Sequence, residues 1–296
     1  MRTVRAHLAP GGTFAMYNYY EPFLLDRYAA TIKKVFGASP CVELGDTLAG
    51  RQQAVLTIRS GGRVPNCRTL WHGTSTDLPT DDHPFPYLAS RTIPSFYLWT
   101  LGLILAASLI AVRTAAGPLR RMSGYLDLAF MGGAFLLLET KNIVQFALLF
   151  GTTWIVNSIV FAGVLLSVLA AIEVTLRLPL PRPVLLYAAL LIALAVAWLV
   201  PQASLLALSL PFRLPAATAL AFAPIFLANL VFAQRLQGSE SSTTAFGANL
   251  LGAMIGGALE YLALITGYRV LLIVVGLLYA LAALTGRRTL QRPSTV

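Results

Sequence analysis

The chain has 296 residues, 57% of them hydrophobic and 11% charged, with a formal net charge of +10. A soluble globular domain carries about 25% charged residues, so this chain cannot clothe its surface in polar groups. A wholly soluble enzyme, a disordered chain and a secreted disulfide scaffold are excluded; an integral membrane protein is implied.

The charge is unevenly spread. Residues 1–92 hold 10 of the 22 Lys and Arg and 7 of the 12 Asp and Glu, a normal soluble density, while residues 93–296 hold the other 12 and 5. This divides the chain into a polar piece at 1–62, a Pro/Gly/Asp-rich linker at 63–92, a transmembrane helical domain at 93–286 and a basic tail at 287–296. The excess of Arg sits at helix ends, where anionic headgroups attract it. No basic face with interleaved aromatics is present, so a lipid bilayer and not nucleic acid is the expected partner.

In the polar piece, a short helix over 1–8 stops at Pro10-Gly11-Gly12, and the β-branched and aromatic run 13–19 predicts a strand. Pro22 opens a helix in which Leu25, Tyr28, Ile32, Val35 and Phe36 share a face, and Gly37 closes it. A short strand and the alternating strand 52–59 follow. About sixty residues with two or three strands bury too little apolar surface for an independent doubly wound sheet. The piece is therefore expected either to pack on another chain or to be the C-terminal part of something longer. Cys41 and Cys67 form no CxxC and have no nearby His pair; they are expected as reduced thiols in a reducing compartment, not as a disulfide or metal site. In the linker, Asp81 and Asp82 next to His83 read as a turn or a partner for Arg91 rather than as ligands. No metal site is expected.

Seven crossings follow from window length, near 94–112, 125–150, 154–174, 183–200, 214–232, 245–265 and 268–284. The second carries Glu139 and Lys141, so a break, a tilt or an early end is expected there. The loops on one side carry nine Arg, counting Arg287, Arg288 and Arg292 of the tail, and those on the other only Arg213 and Arg269. By the positive-inside rule this places the polar piece outside the cytoplasm.

Polar side chains inside hydrocarbon face the bundle interior and mark function by default. The candidates are Asp127, Glu139, Lys141, Asn142, Gln145, Asn157, Asn229, Asn249 and Glu260. Glu139 and Lys141 are two apart and cannot pair on one helix; Lys141 can reach Gln145 one turn on, and Glu139 can meet Asn142. Ala248, Gly252 and Gly256 recur every four residues ahead of Glu260, a small-residue stripe that lets another helix approach closely. Pro224, five residues before Asn229, predicts a kink whose freed carbonyls need partners.

Four strings carry a resemblance: HLAPGGTFAMYNYYEPFLLDRYAATIKKVFG (7–37), TDDHPFPYL (80–88), GGAFLLLETKNIVQFALLFGTTWIVNSIVF (132–161) and AFGANLLGAMIGGALEYLALITGYR (245–269). Together they resemble the membrane-fused version of the spermidine synthase-like, S-adenosylmethionine-methyltransferase-fold family. The resemblance implies an α-helical integral membrane bundle preceded by a partial α/β piece, the C-terminal fragment of a Rossmann-like methyltransferase fold. It implies a multi-pass protein of a bacterial inner membrane, with the polar piece in the cytoplasm. That placement is preferred over the Arg count, because one miscounted helix reverses the latter. S-adenosylmethionine or its decarboxylated form is implied for the full-length family. The Gly-rich loop and the acidic residues that hold such a cofactor would lie upstream of Met1, and Gly11-Gly12 and Gly61-Gly62 open no helix after a strand. No catalytic or cofactor-binding residue is therefore assigned, and the chain alone is expected to bind no cofactor and transfer nothing; an N-terminal catalytic half or a second chain would supply the chemistry. The alternatives are a membrane carrier or channel for a polyamine-like or amphipathic small molecule, with Asp127, Glu139 and Glu260 as its acidic ligands, and a purely structural membrane subunit.

Overall fold

The computed structural model describes residues 1–286 except 62, 63, 65, 76, 77 and 81. The chain separates into two compact units, Met1–Thr92 and Ile93–Val296.

The first unit begins with α1 (Arg2–His7), β1 (Thr13–Tyr20) and α2 (Pro22–Phe36) and continues with β2 (Cys41–Leu48) and β3 (Arg51–Arg59). Pro22 pre-sets the first turn of α2, and Gly37, at φ 79°, ends it by turning the chain into the left-handed region that an L side chain resists. The three strands form a sheet in the order β1-β3-β2, with β3 antiparallel to both neighbours. Alternation in β3 buries Ala54, Leu56 and Ile58 on the face that meets Ala29 and Ile32 of α2. On the other face Val55 and Thr57 are half-buried, and Tyr17 of the edge strand β1 is 57% exposed.

The segment expected as a linker packs into this unit. Trp71 is buried in its core and donates from Nε1 to Asp26 at 2.7 Å. The buried Arg27 guanidinium donates to the carbonyls of Pro86 and Leu88, each at 2.6 Å, and pins the 80–88 segment to α2. Among the described residues no three His, Cys, Asp or Glu side chains converge on a metal position. Asp82 lies in a bend; Asp77 and Asp81 lie outside the described residues.

The expectation for the cysteines is overturned: Cys41 and Cys67 form a disulfide. The cause is long-range. The chain returns alongside the start of β2, with Val42 N–H donating to Thr69 O at 2.8 Å and Trp71 N–H to Pro40 O at 3.0 Å, which carries Cys67 next to Cys41. A separation of 26 residues with no CxxC gives no local signal of this.

The second unit contains α3 (Ser95–Ala116), α4 (Leu119–Met122), α5 (Leu126–Phe150), α6 (Trp154–Arg177), α7 (Pro183–Leu199), α8 (Gln202–Ala207), α9 (Leu210–Gln237), α10 (Ser242–Leu259), α11 (Ala263–Thr266) and α12 (Val270–Thr285). Among the described residues five helical stretches are long and apolar enough to cross a membrane: Ser95–Ala116, Leu119–Phe150, Trp154–Arg177, Leu210–Gln237 and Ser242–Thr266. The count of seven is thus reached only with two shorter apolar helices, Pro183–Leu199 and Val270–Thr285. At about 1.5 Å per residue, 16 or 17 residues fall short of a 30 Å hydrocarbon core by roughly 5 Å. α5 neither breaks nor ends at Glu139 and Lys141, and α9 stays helical through Pro215 and Pro224. The basic tail, with Arg287, Arg288 and Arg292, lies outside the described residues.

Closing a loop of this length by a disulfide stabilises a fold by about 3 kcal/mol through the unfolded chain. Replacing Cys41 and Cys67 together by Ala should therefore lower the unfolding midpoint of the first unit, followed by hydrogen exchange at the β1–β3 ladder in the full chain. The exchange pattern of α5 and α10 should not change.

Candidate functional site

The membrane unit is organised by one close crossing. A Cβ built on Gly252 of α10 would collide with the carbonyl of Ala129 on α5, and one on Gly256 with the backbone of Gly133. From the other side, a Cβ on Gly132 would strike the carbonyl of Asn249. The two backbones therefore touch, with Ala248 buried in the same stripe. Asn249 closes the contact by donating from Nδ2 to Leu128 O at 3.0 Å. Glu260 falls beyond the crossing, in a 3₁₀ turn between α10 and α11, and is only half-buried.

The remaining polar candidates divide into those the fold consumes and those it leaves available. Asp127 is consumed: Arg235, near the end of α9, meets it at 2.5 Å, and both side chains are buried. Arg235 also lies over the ring of Tyr125. Asp127 is thereby removed from the set of acidic ligands that a carrier reading gave it. Lys141 is fully surrounded by protein and donates to Gln145, one turn on in α5. Asn142 does not meet Glu139; it donates from Nδ2 to Ala221 O of α9 at 3.2 Å. Asn157 sits exposed in the first turns of α6 and joins no cluster.

Glu139 and Asn249 come together at a cavity of about 270 Å³, lined from α5, α6, α9, α10 and α12. Sequence reasoning had marked Asn229, which also lines it, but not Tyr279 of α12. The Tyr279 side chain is 1% exposed and its hydroxyl has no hydrogen-bond partner among the described residues. Glu139 makes no ion pair or hydrogen bond among them either. Met131, Phe135, Val168, Phe232 and Ala253 supply apolar walls. A hydroxyl-bearing residue in an otherwise apolar helix is the only sequence signal Tyr279 gave, and its spacing relates it to nothing on its own element.

No family model matches the chain, and no curated protein or solved structure matches it.

Two stability measurements check this arrangement. Gly252→Val should destabilise the bundle by about 3 kcal/mol, because backbone and not a movable side chain meets the added atoms. Gly257→Ala, whose Cβ meets only the Leu136 side chain at 3.2 Å, should be nearly neutral in the same detergent unfolding assay. Asp127→Asn should cost about 3 kcal/mol by stranding a buried guanidinium, and adding Arg235→Gln should restore part of it; equal, additive losses would dissociate the pair.

Proposed function

We propose that this chain is the C-terminal, membrane-embedded portion of a spermidine synthase-like transferase: its helices hold at the bilayer a sheet whose cofactor-binding half comes from another segment or chain. The supporting observation is the sheet itself. β1 pairs only with β3, so its second edge, eight residues long, faces no strand among the described residues. The bare face beside it carries exposed Tyr17 and half-buried Tyr19. A long unprotected edge is a template for a further strand, and the string that supplies β1 and α2 is the one resembling the closing segment of the family's fold. S-adenosylmethionine or its decarboxylated form is the cofactor class this reading implies for the completed enzyme.

A second reading, a carrier for a polyamine-like or amphipathic molecule, is favoured by the largely apolar cavity with Glu139 on its wall and by the Cys41–Cys67 disulfide. Disulfides persist in oxidising compartments, and the Arg asymmetry points the first unit the same way. A transferase drawing on an intracellular cofactor needs that unit on the cytoplasmic side.

Limited trypsin digestion of sealed vesicles separates the two. The transferase reading expects cleavage at exposed Arg51, in the β2–β3 hairpin, only in inside-out vesicles. It also expects no titratable binding of S-adenosylmethionine to the purified chain, and binding once a cofactor-binding half is co-expressed. Cleavage only in right-side-out vesicles removes the transferase reading and leaves the carrier, for which Glu139→Gln should abolish spermidine flux into liposomes.

A further inference from the structure

We propose that the cavity between α5, α6, α9, α10 and α12 is a binding site for the head of a single-chain primary amine taken up from the bilayer. The proposal deepens the carrier reading by naming a ligand class and its contacts, but it concerns occupancy and not flux.

The charge on the cavity wall is of one sign. Asn229 spends its amide N–H on Ile225 O at 2.8 Å, and Asn249 spends its own on Leu128 O. Each amide keeps its carbonyl oxygen and a second N–H. Glu139 adds a carboxylate, and Tyr279, which also lines the cavity, has a hydroxyl that is buried and without a partner among the described residues. Among the described residues no Lys, Arg or His lines the cavity. Lys141, two residues beyond Glu139, leaves α5 in nearly the opposite direction and is engaged by Gln145. Asp127 is held by Arg235. A wall whose one charged group is an unpartnered carboxylate, in a medium of low dielectric, calls for a ligand that brings N–H donors and positive charge.

Charge count sets the ligand's valence. One carboxylate lines the cavity, so one ammonium is matched; a second would be buried without a counter-ion. That disfavours a linear polyamine lying wholly inside. The remaining wall, Met131, Phe135, Val168 and Phe232, suits an alkyl chain. Phe246, also lining the cavity, is 55% exposed on a helix whose outer surface meets lipid. It marks a lateral rim through which an amphiphile enters head first from the bilayer.

The test uses the full chain in lipid nanodiscs and radiolabelled octylamine, with empty discs subtracted. Saturable binding near one per chain is expected, with octanol and spermidine competing at least about tenfold more weakly, as a lost charge-assisted hydrogen bond implies. Glu139→Gln should weaken octylamine about tenfold or more and leave octanol unchanged, and Tyr279→Phe should weaken it about threefold. Ala253→Phe, which fills the cavity, should abolish both. Octylamine binding no greater than in empty discs, octanol binding as tightly, or full affinity retained in Glu139→Gln would each overturn the proposal. The competition with octanol needs no variant and decides the question even if a substitution fails to fold. Saturable octylamine binding without spermidine flux would reject a polyamine carrier and keep the site.

Discussion

The backbone contact between α5 and α10 is the constraint from which the rest of the membrane unit follows. Lipid tails are as apolar as leucine, so helices in hydrocarbon are held by close packing and by polar contacts rather than by escape from water. Gly132 and Gly133 on one helix and Gly252 and Gly256 on the other remove the side chains that would keep the backbones apart. The crossing fixes the rotation of both helices. With Gly132 turned toward Asn249, Glu139, seven residues or two turns further along α5, comes to lie on the same side. The stripe and the carboxylate are thus parts of one arrangement: the glycines set the separation at which a cavity opens beside them.

Much of this was legible in the sequence, and the reason is periodicity. Ala248, Gly252 and Gly256 announce a packing face because every fourth residue of a helix shares a side, and Lys141 with Gln145 is readable on the same ground. Contacts between elements were not legible. Asp127 stood as an isolated intramembrane acid and Arg235 as a loop charge, yet they form the most buried ion pair observed. Parity hinted at it: with alternating crossings, the start of the second span and the end of the fifth lie on one side. Tyr279 had no such hint, since nothing in α12 relates it to Glu139. The partner of a residue on another helix depends on rotation and tilt, which a single sequence does not encode locally.

The first unit repeats the lesson with strands. Pro22 and Gly37 delimit α2, and alternation fixes which face of β3 is buried, all by local rules. The disulfide depends instead on the return of the chain at 66–71 beside β2, and so does the burial of Trp71. A Pro-rich segment with no periodicity reads as a linker, but Arg27 supplies a buried donor that two of its carbonyls satisfy. Irregular backbone becomes structure once its carbonyls find donors that the element pattern does not advertise.

A polar group in hydrocarbon is expensive unless partnered, and the way this bundle meets that cost separates scaffold from site. Asp127 with Arg235 and Lys141 with Gln145 are answered within the fold, and Asn142 is answered at Nδ2 by Ala221 O while its Oδ1 has no partner among the described residues. Asn142, which looks functional by composition, ties α5 to the backbone of α9. Glu139 and Tyr279 are unanswered, and they are unanswered on the wall of the same cavity. Of the two, Glu139 carries the argument: a carboxylate without a partner on a cavity wall is better explained by a ligand than by packing, because packing alone would have favoured an apolar side chain there.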